Sequence, residues 1–161
     1  VSLAQMLEIE KSYPGVRLII AHVGRAYCDE DVGDAFEVLK TTKNMVFDFT
    51  ANTNAWVFEQ ALRAFGPDRC LFGSDLPITR MRMRRTCEAG AYLNIVPRGL
   101  YGDVSGDRNM REVDPPEADR LTFFMYEELL AIKRACERAG IGRSGIEAIF
   151  DGNARRFLGI G

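Results

Sequence analysis

Three polar residues stand where successive apolar runs of the sequence end. His22 follows Leu-Ile-Ile-Ala, Asp48 lies within Met-Val-Phe-Asp-Phe-Thr, and Asp75 follows Cys-Leu-Phe-Gly-Ser. They are 26 and 27 residues apart, a spacing typical of a repeating strand-and-helix unit. Side chains at the carboxyl ends of parallel strands meet at one edge, where barrel enzymes keep their active sites. An imidazole and carboxylates at such an edge can move a proton or bind a divalent metal ion.

Each of these residues also has a purely structural interpretation. His22, the only histidine, could hydrogen-bond its own loop, and Asp75 could begin a turn or cap a helix. Asp48 alternates with Phe47 and Phe49, so it points away from them and either lines a barrel mouth or pairs with an arginine. We predict catalytic and metal-binding roles for His22 and Asp75, because they occupy matching points of two strands.

Arginines follow the first and third of these strand ends. Arg25 lies just beyond the first, and a run in which arginines alternate with methionines follows the third. The members of the run are Arg80, Met81, Arg82, Met83, Arg84 and Arg85. Guanidinium groups bind carboxylates and phosphates, so we predict that Arg25, Arg80 and Arg82, together with Asp48, contact an anionic small-molecule substrate. A solvated or subunit-facing stretch is the alternative for the run.

Composition excludes several classes of protein. The net charge is -2 and the pI is about 5.5, which argues against a nucleic-acid partner. The sequence contains no run of about 18 apolar residues, so it predicts no membrane-spanning helix. The cysteines show no CxxC spacing, which favours reduced thiols in a cytoplasmic protein over a disulfide framework or a zinc knuckle. They are Cys28, Cys70, Cys87 and Cys136.

Strand and helix patterns alternate through residue 78. Apolar runs predict three strands that are buried on both faces, and helical periodicity predicts three helices. The strands are expected at 16–21, 45–49 and 69–74, and the helices at 2–12, 31–41 and 54–65. Ser2 and Gln5 predict a capping box for the first helix. Helices between buried strands are crossovers, so the sheet should be parallel.

The alternation then breaks. Residues 79–114 show no amphipathic helix pattern and predict a long loop or arm that contains at most a short strand or hairpin. Residues 115–161 predict C-terminal helices. We therefore divide the single or partial domain 1–161 into three strand units (1–78), the arm (79–114) and these helices.

Capping signals set the expected limits of the C-terminal helices. Pro115-Pro116 opens a long helix, with Asp114 as its N-cap, and Gly140 ends it. Ser144 and Glu147 predict a capping box for a last short helix.

Four motifs together resemble a known family. They are Leu-Ile-Ile-Ala-His-Val-Gly-Arg around His22, Phe-Asp-Phe-Thr around Asp48, Leu-Phe-Gly-Ser-Asp-Leu-Pro around Asp75, and Ile-Phe-Asp-Gly-Asn-Ala-Arg-Arg-Phe-Leu around Asn153. This set resembles the amidohydrolase-related family, the branch of the amidohydrolase superfamily that includes aminocarboxymuconate-semialdehyde decarboxylase. The resemblance covers residues 1–78 and 115–161.

The resemblance implies an α/β fold, the C-terminal portion (about strands 6 to 8) of a (β/α)8 TIM barrel with parallel strands. It implies that His22 is an acid/base or metal-site histidine, that Asp75 ligates the metal, and that Asn153 and Ala154 are structural. The implied cofactor is a divalent metal, with zinc first and manganese or magnesium as alternatives. The implied reaction is attack by metal-activated water on an amide, ester or lactone. Metal-dependent decarboxylation is the alternative.

The sequence also departs from the family pattern. It lacks the His-x-His pair of the first strand and the histidine of the fifth, whereas catalytic zinc typically has three protein ligands. A whole barrel takes about 250 residues. We therefore expect the C-terminal part of a longer enzyme, whose activity needs N-terminal sequence. That remainder or a second copy should cover the open sheet edges. The alternative of another class is a non-catalytic half-barrel that acts as an assembly module through residues 79–114.

Overall fold

The computed structural model describes residues 2–160 and contains two three-stranded sheets. The elements of the first part are α1 (Leu3–Ser12), β1 (Leu18–Ile20), α2 (Ala35–Leu39), β2 (Met45–Asp48), α3 (Ala55–Phe65) and β3 (Cys70–Leu71). The first sheet is parallel, with strand order β1-β2-β3. Leu18 lies opposite Met45, and Phe47 lies opposite Cys70. The predicted parallel α/β arrangement is therefore confirmed.

Local hydrogen bonds explain where the first two helices begin. The Gln5 N–H donates to Ser2 Oγ, and the Ser2 N–H donates to Gln5 Oε1, so the predicted capping box is confirmed. Helix α2 is shorter than the predicted 31–41. The Asp31 carboxylate closes a separate turn by accepting backbone N–H groups, and Gly33 has a φ of +47°, which an α-helix does not tolerate.

Stacked aromatic rings fill the core between the first sheet and α3. The Phe47 ring lies 3.8 Å from that of Phe65, and the Phe49 ring lies 4.2 Å from that of Phe58. A fully buried phenylalanine stabilises a fold by about 1.5–3 kcal/mol. Asn54 caps α3, because its side-chain oxygen accepts the first free N–H groups of the helix. These ring contacts hold the end of β2 against α3.

The arm, residues 79–114, contains the second sheet. Its strands are β4 (Arg84–Glu88), β5 (Ala91–Pro97) and β6 (Met110–Val113). Strands β4 and β5 are antiparallel, and β6 runs parallel to β5. The two-residue turn Ala89-Gly90 has positive φ at both positions, as a tight hairpin requires. The arm thus has more strand than predicted, and no residue of it lies in an α-helix.

The arm packs on the rest of the chain through a small apolar cluster. Its buried members are Ala51, Met83, Val96 and Phe124. The Met83 N–H donates to the Thr122 carbonyl, and the Phe124 N–H donates to the Met81 carbonyl. These two bonds hold residues 121–123 extended alongside the arm.

This pairing changes the start of the long C-terminal helix. The remaining helices are α4 (Phe124–Ala139), α5 (Arg143–Glu147) and α6 (Asn153–Leu158). The prediction of a start at Pro115 with Asp114 as N-cap was wrong, because the preceding segment pairs with the arm. Gly140 ends α4 in the left-handed conformation, as predicted. The predicted capping box at Ser144 was wrong, because that residue already lies inside α5.

A disulfide overturns part of the cysteine prediction. Cys28 and Cys87 are bonded, with Cα atoms 5.8 Å apart, although 59 residues separate them in the sequence. The prediction of reduced thiols was wrong for this pair, because sequence spacing does not show that β4 lies beside the loop after β1. Cys70 and Cys136 are free and buried. Across residues 2–160, no helix combines the length and the hydropathy that a membrane crossing requires.

Candidate functional site

A left-handed turn follows β1 and carries His22. Residues 22 to 25 all have positive φ, between 51° and 71°, and three of them are not glycine. Such a conformation costs about 1 kcal/mol for each non-glycine residue. It persists only where the surroundings hold it in place, and residues of this kind cluster at functional sites. The turn leaves the half-buried His22 ring at the carboxyl edge of the parallel sheet.

Asp48 and Thr50 hold this turn from the end of the neighbouring strand. Asp48 Oδ1 accepts the His22 N–H at 2.7 Å and the Thr50 N–H at 3.2 Å, and it also accepts the Thr50 hydroxyl. Hydrogen bonds to an ionised carboxylate are stronger than neutral ones. Within residues 2–160 Asp48 pairs with no arginine, so that alternative is not what the structure shows. A substrate contact for Asp48 stays a prediction.

The same contacts determine which nitrogen of His22 carries the proton. Nδ1 lies 2.9 Å from the Thr50 carbonyl oxygen and 2.9 Å from Thr50 Oγ1. The Thr50 hydroxyl gives its hydrogen to Asp48, so it can only accept from the ring. Both partners of Nδ1 are acceptors, and Nδ1 must therefore be protonated. In the neutral ring the lone pair is therefore on Nε2, which can take a proton or bind a metal ion.

Gly73 allows Thr50 to occupy this position. A Cβ atom at Gly73 would lie 2.3 Å from Thr50 Cγ2, far inside van der Waals contact. The Thr50 side chain cannot turn away without losing its bonds to Asp48 and His22. The glycine of the Gly-Ser-Asp string is therefore required by the packing beside His22.

Asp75 lies in the loop that follows β3, two residues beyond Gly73. It is exposed and has a φ of +47°. Its carbonyl accepts the Ile78 N–H at 3.0 Å and so begins a turn, as the structural interpretation predicted. Its carboxylate has no hydrogen bond or ion pair with any other residue from 2 to 160. Burial is the main cause that raises the pKa of Glu128 and of Tyr27, and the negative charge of Asp75 makes a smaller contribution to both.

The predicted arginines have different surroundings. Arg25 is exposed, and its guanidinium carbon lies 5.6 Å from the centre of the Tyr27 ring. Arg80 is exposed at the end of the turn that Asp75 begins. Arg82 instead donates from Nε and Nη2 to the carbonyls of Leu121 and Ala118 and so ties the arm to the segment before α4. The substrate contacts of all three arginines stay predictions.

Glu128 is a member of the site that the sequence analysis missed. It lies on α4, is fully buried, and accepts the Ala51 N–H at 3.2 Å through Oε2. Burial raises its pKa to about 8, the hydrogen bond from the Ala51 N–H opposes this rise, and the nearby charges of Asp48 and Asp75 each add a smaller increase. The sequence does indicate that Glu128 is buried, because it lies one turn from Phe124 in the apolar stripe of the helix.

Arg85 holds the other side of Ala51 and was missed as well. Its Nη1 donates to the Ala51 carbonyl at 2.6 Å. Its guanidinium lies 4.1 Å from the Tyr27 ring centre, with the rings of Tyr92 and Phe124 at 5.1 and 4.9 Å. Burial lowers the pKa of this arginine. Strand β4 thereby braces the turn after β2.

The described residues do not hold a metal ion by themselves. From residue 2 to residue 160, no group of three or more His, Cys, Asp or Glu side chains is placed to ligate one. His22 Nε2 and the Asp75 carboxylate are suitable donors for a divalent cation, but catalytic zinc typically has three protein ligands. A cavity of about 310 Å³ opens beside β1 and α2, and neither His22 nor Asp75 lines it.

The family model described as Amidohydrolase matches residues 2–160. No curated protein matches the sequence significantly.

Two solved proteins share the fold. An amidohydrolase from Burkholderia multivorans, solved with bound HEPES, superimposes with a TM-score of 0.58 at 14% identity, covering 100% of this chain and 52% of that one. A second crystal form with bound zinc has the same TM-score at 15% identity and covers 51% of that chain. Amidohydrolase 2 from Bifidobacterium longum subsp. infantis has a TM-score of 0.52 at 17% identity, covering 99% of this chain and 47% of that one. The chain thus spans about half the length of these relatives.

Proposed function

This chain belongs to the amidohydrolase family, and from that premise we propose that it contributes half of a metal-dependent hydrolase site. We assign its strands to positions 6 to 8 of a (β/α)8 barrel. One observation carries the proposal. The Asp48–Thr50–His22 network fixes the protonated Nδ1 of the imidazole and leaves Nε2 free at the edge where Asp75 has no partner.

The residues of this chain have distinct roles in the proposal. His22 Nε2 takes a proton from the attacking water and returns it to the leaving group, as a general base and then a general acid. Asp75 supplies one carboxylate ligand to a divalent metal, with zinc first and manganese or magnesium as alternatives. When bound, such a metal lowers the pKa of water and polarises the scissile carbonyl of an amide, ester or lactone. The other ligands come from outside the described residues.

Substrate and partners follow from exposed groups. Arg25 and Arg80 offer positive charge near the edge site, which suits a small anionic substrate. Strands β1 and β3 are the two edges of the parallel sheet, and Ile19 on β1 is 46% exposed. We propose that the N-terminal remainder of the barrel, or a second copy of this chain, covers these edges.

The test compares variants in the complete, zinc-loaded protein. Rates are measured on a panel of lactones, esters, amides and aromatic carboxylates, and bound zinc is quantified. His22→Ala should lower kcat by about 10²–10⁴-fold with zinc retained, because it removes the general base. Asp75→Asn should lose both zinc and activity. Asp103→Asn, an exposed aspartate of the arm, is the matched control and should change neither.

Three results would change the assignment. Unaltered turnover in both site variants would refute an enzymatic role for this edge. Release of carbon dioxide without hydrolysis would identify the decarboxylase alternative and exclude the hydrolase. A wild-type protein that is inactive on the whole panel, and whose oligomer dissociates when the arm is deleted, would support the assembly module instead.

A further inference from the structure

Glu128 and His22 bind opposite ends of one peptide group, and we propose that Glu128 is a positioning residue that orients the His22 imidazole through it. The group joins Thr50 to Ala51. Its carbonyl oxygen lies 2.9 Å from His22 Nδ1, and its N–H donates to Glu128 Oε2 at 3.2 Å. The C=O and N–H of a trans peptide point in opposite directions. Fixing the N–H from α4 therefore fixes the carbonyl that faces the ring.

This peptide group needs such support. Ala51 has a φ of +45°, a left-handed conformation that costs about 1 kcal/mol for a residue with a side chain. A flip of the Thr50–Ala51 peptide would relieve that conformation and turn the carbonyl away from His22. Arg85 restrains only the next carbonyl, that of Ala51. The Ala51 N–H of this peptide donates its hydrogen bond to Glu128.

The bond also affects the chemistry of the ring. An acceptor on the N–H of a peptide polarises its carbonyl, which then becomes a stronger acceptor. A stronger acceptor at the Thr50 oxygen favours the proton on His22 Nδ1. In the neutral ring the lone pair then lies on Nε2, the nitrogen that would take a proton or bind a metal. Glu128 thus acts on His22 without touching it.

Packing alone does not explain a glutamate at this position. Glu128 lies in the apolar stripe of α4 between Phe124 and Ile132, where leucine or methionine would fill the same space. Its Oε1 is buried and has no hydrogen-bond partner among residues 2–160. A buried polar atom without a partner lowers stability, and residues that do so are typical of functional sites. The hydrogen bond to Ala51 is the function that the structure assigns to it.

The chain offers a direct measurement, because His22 is its only histidine. Within this chain the ¹⁵N signals come from one imidazole, and in the complete protein the signals that disappear in His22→Gln identify the same ring, so that its tautomer can be read. The spectra are recorded well above the measured pKa of the ring for wild type, Glu128→Gln, Glu128→Leu and the control Ile132→Val. The glutamine keeps an oxygen acceptor at the same place, whereas the leucine removes it. Ile132→Val perturbs the packing of the same helix one turn away.

Wild type, Glu128→Gln and Ile132→Val should carry the proton on Nδ1. Glu128→Leu should shift the ratio of the two tautomers toward Nε2–H by ~2- to 10-fold, the range that the net strength of one hydrogen bond gives. A folded Glu128→Leu protein with the wild-type ring signals would overturn the proposal. If that variant does not fold, the rate of hydrogen exchange at the Ala51 amide of the wild type tests whether the bond to Glu128 forms. A protected amide supports the bond, and a rapidly exchanging one refutes it.

The catalytic meaning of this inference rests on the proposed function, but the tautomer is measured without substrate or metal. In the complete enzyme Glu128→Leu should lower kcat with KM unchanged, and Glu128→Gln should restore it. A protein with the expected tautomers but no turnover in any form would refute the proposed function and leave the positioning role standing.

Discussion

The edge of the parallel sheet and the arm are stabilised by different interactions. At the edge, part-buried and buried polar groups form one connected network, in which Asp48 alone accepts three hydrogen bonds. In the arm, the charged pairs are exposed, such as Arg111 with Glu88 and Arg98 with Asp114. Exposed ion pairs add little to stability, whereas a buried group that loses its partner lowers stability strongly.

The two regions meet at Ala51 and at the disulfide. Arg85 of β4 donates to the Ala51 carbonyl, and Cys87 of the same strand is bonded to Cys28. The arm therefore braces the turn that supports His22 without supplying the groups that contact its ring. We expect changes at the edge to affect both stability and the state of His22, and changes in the arm to affect stability alone.

The largest expected effect is the pH dependence of stability that Glu128 causes. Its pKa is about 8 in the folded protein and 4.5 ordinarily, so the folded state keeps a proton that the unfolded chain releases. The stability that this bound proton contributes is fully present below pH 4.5 and is lost as the pH rises to about 8. As the pH rises through this window, the free energy of unfolding of the wild type should fall by ~1.4 kcal/mol per pH unit relative to that of Glu128→Gln. Urea unfolding of both proteins from pH 4.5 to 8 measures the difference, and a constant difference would contradict the prediction.

The next effect concerns the disulfide. It closes a loop of 59 residues, so its reduction should lower the free energy of unfolding by ~4 kcal/mol. Thermal unfolding with and without a thiol reductant measures the loss. The double variant Cys28→Ser/Cys87→Ser should be insensitive to the reductant. The ring signals of His22 should stay the same in the reduced protein, and a change of tautomer there would end the distinction between the two regions.

A pair of glycine substitutions tests the same distinction directly. Gly73→Ala should destabilise the protein by ~1–3 kcal/mol, because the new Cβ overlaps with Thr50. It should also shift the tautomer of His22. Gly106→Ala in the arm is the control, since its Cβ would meet nothing within 4 Å. Equal denaturation midpoints for the two variants would show that the contact at Gly73 is not restrictive.

The smallest expected effect is in the exposed charges of the arm. Arg111→Ala removes the bonds to Glu88, in which both side chains are about half exposed. We expect no measurable change in the urea midpoint, because such pairs are screened by solvent. A clear loss of stability would mean that the arm depends on its ion pairs more than its exposure indicates.

Comparison of the predictions with the structure shows where local patterns succeed. The strands of the parallel sheet, the cap at Ser2 and the end of α4 at Gly140 depend on residues that are close in sequence, and all were predicted to within a few residues. The start of α4 was misplaced by eight or nine residues. The Met83 N–H donates to the Thr122 carbonyl and the Phe124 N–H donates to the Met81 carbonyl, and these bonds hold the segment before α4 extended. Helix propensity at Pro115 is overridden by that distant pairing.

The sequence by itself determined the parallel sheet and the position of His22, Asp48 and Asp75 at strand ends. Buried strands are visible as apolar runs, and the residue that ends each run is a local property. Only the tertiary structure decided the partners of these residues. Thr50 meets His22 across 28 residues, Cys28 meets Cys87 across 59, and Glu128 meets Ala51 across 77. Contacts at such separations have no period in the sequence, because they depend on how whole elements pack.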